Sequence, residues 1–490
     1  VEIRMSEALE KARKYEREAR VQIPEGQKPS FHVCAPVGWI NDPNGFSLYQ
    51  GEYHLFYQYH PYSTVWGPMH WGHSKSKDFI KWEQLPCALA PDSDYDGKGC
   101  FSGSAVEQDG KHILMYTGVS AAETDEGTGV RQVQCIAVGD GINYEKLDCN
   151  PVITSDLLPE GSSREDFRDP KIWKEGEDFY AVVGSRSSDS SGQIALFTSK
   201  DAKEWSFVSI VDSSQNIHGK MWECPDLFTI DGEHILITSP QEMTAIGMEF
   251  HNGNNTLYIV GELDRDNNTL IRKQAAAIDY GLDFYAPQTL ETEDGRRIMI
   301  AWMQSWDNHI TPADFIWSGL MTIPREIKLV NNRLYQNPVK ELEQYYQNEV
   351  KYEAEAINGR KEFEGIRGRE LDFTVEIEAG NYRRFTVRLA ADSRFFSEII
   401  YDPRENTLTF DRTYSGFTRD SIHTRTMKVR EQGGRIKLRI LMDKYSVEIF
   451  VNDGEQAMTS LIYTSLEAES ICFLSEGLAT IDILKHDIIV

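Results

Sequence analysis

Cysteine is sparse in this 490-residue chain and nowhere arranged in pairs. Cys34, Cys87, Cys100, Cys135, Cys149, Cys224 and Cys472 contain no C-x-x-C, and their odd number argues against a complete disulfide framework. They read as reduced thiols, so a cytoplasmic setting is the expectation. Long apolar runs are missing too, with nothing near the ~18 residues of a membrane-spanning helix. Residues 5–20, MSEALEKARKYEREAR, are charged where a signal peptide carries an apolar centre. Because the chain starts at Val1, secretion after removal of a leader is the alternative. Positive charge is in short supply, 51 Lys and Arg against 77 Asp and Glu, a net −26. Nucleic acid and anionic membranes are bound through surplus basic residues. Neither is expected as a partner, and a neutral small molecule suits the balance better. His70 and His73 stand three apart in HWGH, but no Cys or acidic ligand set accompanies them. They read as structural histidines, and no metal or cofactor is expected.

What the chain does have is strand material. An apolar face of Ala8, Leu9, Ala12, Tyr15 and Ala19 marks one N-terminal helix. From about residue 31 to 330 the texture is different: EYHLFYQY (52–59), KHILMYTGV (111–119), DFYAVVGS (178–185), EHILITSP (233–240), TLYIVGEL (256–263) and RRIMIAWM (296–303). These runs are β-branched and aromatic, and several follow an acid–Gly turn such as Asp109-Gly110 or Asp231-Gly232. The unit returns every ~55–65 residues, as the blades of a propeller would. Five blades fit the length, and a large sandwich fits the same strands. VKELEQYYQNEVKYEAEA is polar and helix-prone, and it reads as a linker over 338–357. Beyond it, RIKLRILM and YSVEIFVN alternate apolar and polar positions, so 358–490 reads as a β-sandwich. The expectation is therefore all-β: an N-terminal helical extension (1–30), a five-bladed propeller (31–337), the linker and the sandwich.

Three acids in the blade region stand out by their neighbours: Asp42 in WINDPNG, Asp169 in FRDP and Glu223 in WECPD. Each alone reads as a turn acid beside Pro or Trp. Together they supply the two facing carboxyl groups that glycoside hydrolysis needs, and a third. With FYQYHP (56–61), WGPMHWGH (66–73), FSGSAV (101–106), GLDFYAPQT (281–289), IAWMQSW (300–306), GLMTIPRE (319–326) and SVEIFVNDGE (446–455), the set resembles glycoside hydrolase family 32, the invertases and other β-fructofuranosidases. The resemblance runs from about residue 31 to the end. Ile40, where many members have Met, is a small departure of similar volume.

The resemblance implies a five-bladed propeller followed by a β-sandwich, and a retaining attack on terminal β-fructofuranosides such as sucrose, its 6-phosphate or short fructooligosaccharides. Asp42 falls on the family's nucleophile, Glu223 on its acid/base and Asp169 on its transition-state stabiliser. Asn41, Gln58, Trp66, Phe101, Ser102, Arg168 and Trp302 fall on fructose-subsite positions, with Trp39, Trp71 and Tyr285 as additions. Trp222 and the neighbouring carboxylates are expected to raise the Glu223 pKa, and Arg168 to oppose this chiefly at Asp169. Two other readings compete: a fructosyltransferase using the same intermediate, and a non-catalytic carbohydrate-binding propeller.

Overall fold

The computed structural model describes residues 5–124, 127–416, 419 and 421–490; residues 1–4 of the N-terminal extension lie outside them. One helix, Glu7–Arg20, precedes the strands. Ser6 caps it by accepting a hydrogen bond from the Leu9 amide, with Glu7 and Glu10 in its first turn and Arg17 and Arg20 in its last. Its buried Arg13 donates to Cys87 O and Asn143 Oδ1, fastening the helix to two neighbouring blades.

Among the described residues five propeller sheets follow, four of four antiparallel strands and one of five that includes a parallel pair. Their innermost strands are Gly38–Tyr49, Gly99–Gln108, Phe167–Glu175, Met221–Ile230 and Tyr285–Glu291. These are the five blades expected, and the six apolar runs supply blade strands. Two acid–Gly pairs adopt the left-handed backbone throughout, Asp109 (φ 53°) with Gly110 (φ 73°) and Asp231 (φ 51°) with Gly232 (φ 84°). That geometry matches the twist of tight hairpins, which explains why this dipeptide keeps introducing strands. The ring closes where Trp317 and Ser318 pair in parallel with Gly38 and Trp39, adding a fifth strand to the first blade. Side chains staple the inner strands together around the axis. Ser104 Oγ donates to Pro170 O and accepts from the Ile172 amide, while Gln288 accepts from the Phe46 amide and donates to Gly103 O.

The segment expected as a polar, helix-prone linker folds otherwise. Lys340–Tyr345 is a short 3-10 turn and Tyr346–Lys361 is a strand paired along the final strand, Ser470–Ile488. Its side chains are mostly exposed, with Ile357 buried, as befits a strand at the edge of the second domain. Helix propensity is a weak preference that such pairing overrides. The final strand pairs with Leu371–Glu378 at one end and Phe385–Ala391 at the other, so the C-terminal strands part into two layers. Fully buried polar groups join sandwich to propeller: Arg325 meets Asp279 and Glu448, and His32 meets Asp443 and Glu448.

Candidate active site

Every inner strand breaks its ladder near the same end. Register shifts fall between Ile40 and Pro43, Phe101 and Gly103, Arg168 and Lys171, Glu223 and Asp226, and Tyr285 and Gln288. The residues inside or beside these bulges are Asn41, Asp42, Ser102, Asp169, Glu223, Cys224 and Tyr285. A bulge re-aims side chains that regular pleating would send into the blade faces. Asp169 (φ 69°), Cys224 (φ 48°) and Ala286 (φ 54°) are left-handed, and each precedes a proline. Each such non-glycine conformation costs on the order of 1–3 kcal/mol, which the surrounding blades offset. WINDPNG is therefore no hairpin turn but an irregular, buried stretch of the first inner strand.

The bulges bring the acids together. Asp42 Oδ2 accepts from Ser102 Oγ at 2.6 Å and from the Cys224 thiol at 3.3 Å, and Oδ1 accepts from Asn41 Nδ2 at 3.2 Å. The same thiol lies 3.4 Å from Asp169 Oδ2, which also accepts from the Cys224 amide at 3.0 Å. Asp42 and Asp169 thus share one donor, and the residue before it is Glu223. Glu223 Oε1 accepts from Arg168 Nε at 3.0 Å and Oε2 from the Tyr285 hydroxyl at 2.5 Å. Arg168 is fixed in turn by Asp166, Gln132 and Gln241.

Two sequence expectations are corrected here. Arg168 directs its Nε to Glu223 rather than engaging Asp169 chiefly. Trp222, on the opposite face of its strand, packs in the core and donates to His218 O, so Tyr285 is the aromatic that meets Glu223. Trp71, fully buried and donating to Phe101 O, also belongs to the packing between the first two blades. The other named side chains stand beside the acids or pack beneath them. Trp39 Nε1 donates to Asn41 Oδ1, and Gln58 holds Asn44 Oδ1 and Cys100 O beneath the floor. Trp302 is fully buried with its Nε1 unpartnered, and Trp66, 46% exposed, meets the Phe101 ring edge-on at 5.9 Å. Sequence reasoning missed Cys224, Gln132, Asp166 and Gln241. Cys224 stood inside a quoted motif, whereas the two glutamines lie on strands with nothing to mark them.

Burial raises the pKa of all three carboxyls. Asp169 is pushed up to about 7, by burial first and then by the Glu223 charge, against the pull of Arg168. At Asp42, hydrogen bonds from Ser102, Asn41 and Cys224 oppose burial and favour the anion. At Glu223, burial and the Asp42 charge favour the protonated form, while Arg168 and Tyr285 oppose it. One guanidinium among three carboxyls only partly offsets burial, and all three stay above their ordinary range. His70 and His73, the histidines of HWGH, lie buried in the third strand of the first blade, His73 stacked on Phe56 at 3.8 Å.

The model of the glycosyl hydrolases family 32 N-terminal domain matches residues 32–338, and that of the family's C-terminal domain matches 341–488. The chain belongs to glycosyl hydrolase family 32. Among its relatives is the Zymomonas mobilis sucrose-6-phosphate hydrolase, 37% identical over 94% of this chain and 91% of that protein. An Escherichia coli raffinose invertase is also 37% identical, over 90% and 91%. The solved Bombyx mori β-fructofuranosidase superposes with a TM-score of 0.84 at 31% identity, covering 98% of each chain. A mutant of that enzyme has been solved in complex with sucrose. Membership of family 32 makes the chain a glycoside hydrolase.

Proposed function

We propose that this β-fructofuranosidase cleaves sucrose and similar neutral β-fructosides through a fructosyl ester on Asp42. The observation that carries this reading is the cluster itself, Asp42 and Asp169 meeting at Cys224 with Glu223 held between Arg168 and Tyr285. Asp42, stabilised as the anion by three donors, attacks the anomeric carbon. Glu223, whose protonated form burial favours, gives its proton to the departing glycosidic oxygen. The Tyr285 hydroxyl can donate or accept, so it serves Glu223 in both states. Once the aglycone leaves, Glu223 takes a proton from water, the water releases fructose from Asp42, and the anomeric configuration is retained. Asp169 holds the fructose hydroxyls as positive charge develops at the ring. Asn41, Ser102, Trp39, Phe101 and Trp66 complete the fructose subsite, with Gln58 and Trp302 packed behind them.

The charge around Arg168 supports an unphosphorylated aglycone. Arg168 and Arg186 pair with Asp166, and Lys220, whose amide donates to Gln241 O, pairs with Glu242. Each basic group already has a carboxylate partner, Asp166 being shared by two. The test is kcat/KM on sucrose against sucrose 6-phosphate: a preference for sucrose is expected, and a tenfold preference for the phosphate ester would overturn the substrate assignment. The seven free thiols support a cytoplasmic setting. Among the described residues no helix is long and apolar enough to cross a membrane.

A further inference from the structure

Beyond the buried aromatics beside the acids lies one that is only half-buried. Trp306, 40% exposed, stands in the loop after the strand Arg297–Trp302. Its ring stacks on Trp39 at 6.4 Å and 21° and lies 4.9 Å from Trp302. Trp302 is paired across the fifth blade with Tyr285, whose hydroxyl meets Glu223. Trp306 is thus linked through Trp302 to the strand pair that carries the partner of the proton donor, whereas Trp66, also exposed, belongs to the first blade.

Long loops hold such precision only when pinned, and this one is pinned from the fourth blade. Asp307 Oδ2 accepts from the Asn254 amide at 2.9 Å and Oδ1 from Asn254 Nδ2 at 3.0 Å. Gly253 packs so closely below that a Cβ there would lie 2.7 Å from Asp307 Oδ1. Asn308 Nδ2 donates to Leu282 O on the other side. Asn254-Asn255-Thr256 reads as a glycosylation sequon, but the Asn254 amide nitrogen is committed to Asp307, and Asn255 and Thr256 are buried.

Resting on the fructosidase reading above, we infer that Trp306 is the platform for the neutral sugar ring joined to the fructose, and that the Asn254–Asp307 pair is the positioning lock that fixes it. An indole presents a flat apolar face at low entropy cost, suited to the C–H face of a pyranose or a second furanose. Trp306 then sets selectivity for the leaving sugar without touching the fructose.

The test compares sucrose, raffinose and methyl β-D-fructofuranoside, whose leaving group has no ring. Trp306→Ala should lower kcat/KM about tenfold or more on sucrose and raffinose. It should leave methyl fructoside turnover and inhibition by free fructose within about twofold, and Trp306→Phe should restore most of the loss. Asn254→Ala should give the same selective pattern with a smaller loss, carried in KM. Equal losses on all three substrates, or weaker fructose inhibition, would place Trp306 in the fructose subsite and overturn the inference. Unchanged sucrose kinetics in Trp306→Ala would overturn it too, and unchanged kinetics in Asn254→Ala would remove the lock. Failure of the fructosidase reading is distinct, because the unmutated enzyme would then release no fructose from any of the three.

Discussion

Asp42 has to be an anion inside a pocket whose burial favours the acid. Ser102, Asn41 and Cys224 resolve that conflict, since donors to a carboxylate lower its pKa and offset part of its desolvation. The balance still lies above the ordinary aspartate value. The acid limb of kcat/KM, where Asp42 takes up its proton, is therefore expected above the pH at which a free aspartate titrates. Ser102→Ala removes the shortest donor, so that limb should move to still higher pH, by about one unit if the bond contributes ~1.4 kcal/mol to the anion. A pH profile of the variant measures this, and a limb that moves to lower pH would mean that Ser102 does not stabilise the charged form. The three acids were legible because each sits in a phrase with aromatics and proline. Their partners were less so: Arg168 was legible as a residue but not in its direction, since sequence adjacency suggested Asp169 and the bulge turns it to Glu223. Gln132 and Gln241 were invisible, being polar residues within otherwise ordinary strands.

At the scale of elements, the bulge repeated in five inner strands is what converts a propeller into a catalytic scaffold. The second blade shows how tightly it is built: a Cβ on Gly103 would lie 1.9 Å from Met115 O, so only glycine admits the approach between Ser102 and Ser104. Gly103→Ala should cost several kcal/mol, a mechanism of the severe class. Thermal unfolding should show a Tm lowered by several degrees, together with lost activity because Ser102 is displaced; an unchanged Tm would contradict the packing described. The blades were legible from their period and from the acid–Gly turns, two of which, Asp109-Gly110 and Asp231-Gly232, have a left-handed backbone. The segment 338–357 misled because its Glu- and Lys-rich composition favours helix locally, while its strand exists only through pairing with residues more than a hundred positions later. WINDPNG likewise spells a turn, and only the neighbouring strands reveal a bulge.

At the scale of the whole molecule, sandwich and propeller are joined by charges rather than by apolar contact alone. Burial pulls His32 toward neutrality, but hydrogen bonds to Asp443 and Glu448 outweigh it and hold its pKa up to about 9. A base raised on folding stabilises fully below its unfolded value of ~6.5, and that contribution is lost as pH rises through 9. A shift of that size corresponds to about 3 kcal/mol. Stability measured by urea unfolding should therefore decline between pH ~6.5 and 9. His32→Gln should be less stable at pH 6 and should flatten this decline; an equal slope in the variant would assign the pH dependence elsewhere.

The central claim is that catalysis passes through an ester on Asp42, and peptide mass spectrometry tests it most directly. Glu223→Ala, given an aryl β-fructoside whose leaving group needs no proton, should form the ester and hydrolyse it slowly, because the base for water is gone. Acid quench and digestion should then find one fructosyl unit on the peptide containing Trp39 to Gly45, and Asp42→Asn in the same background should abolish it. A fructosyl unit on the peptide of Asp169, or turnover of the aryl fructoside with no labelled peptide at all, would contradict the account.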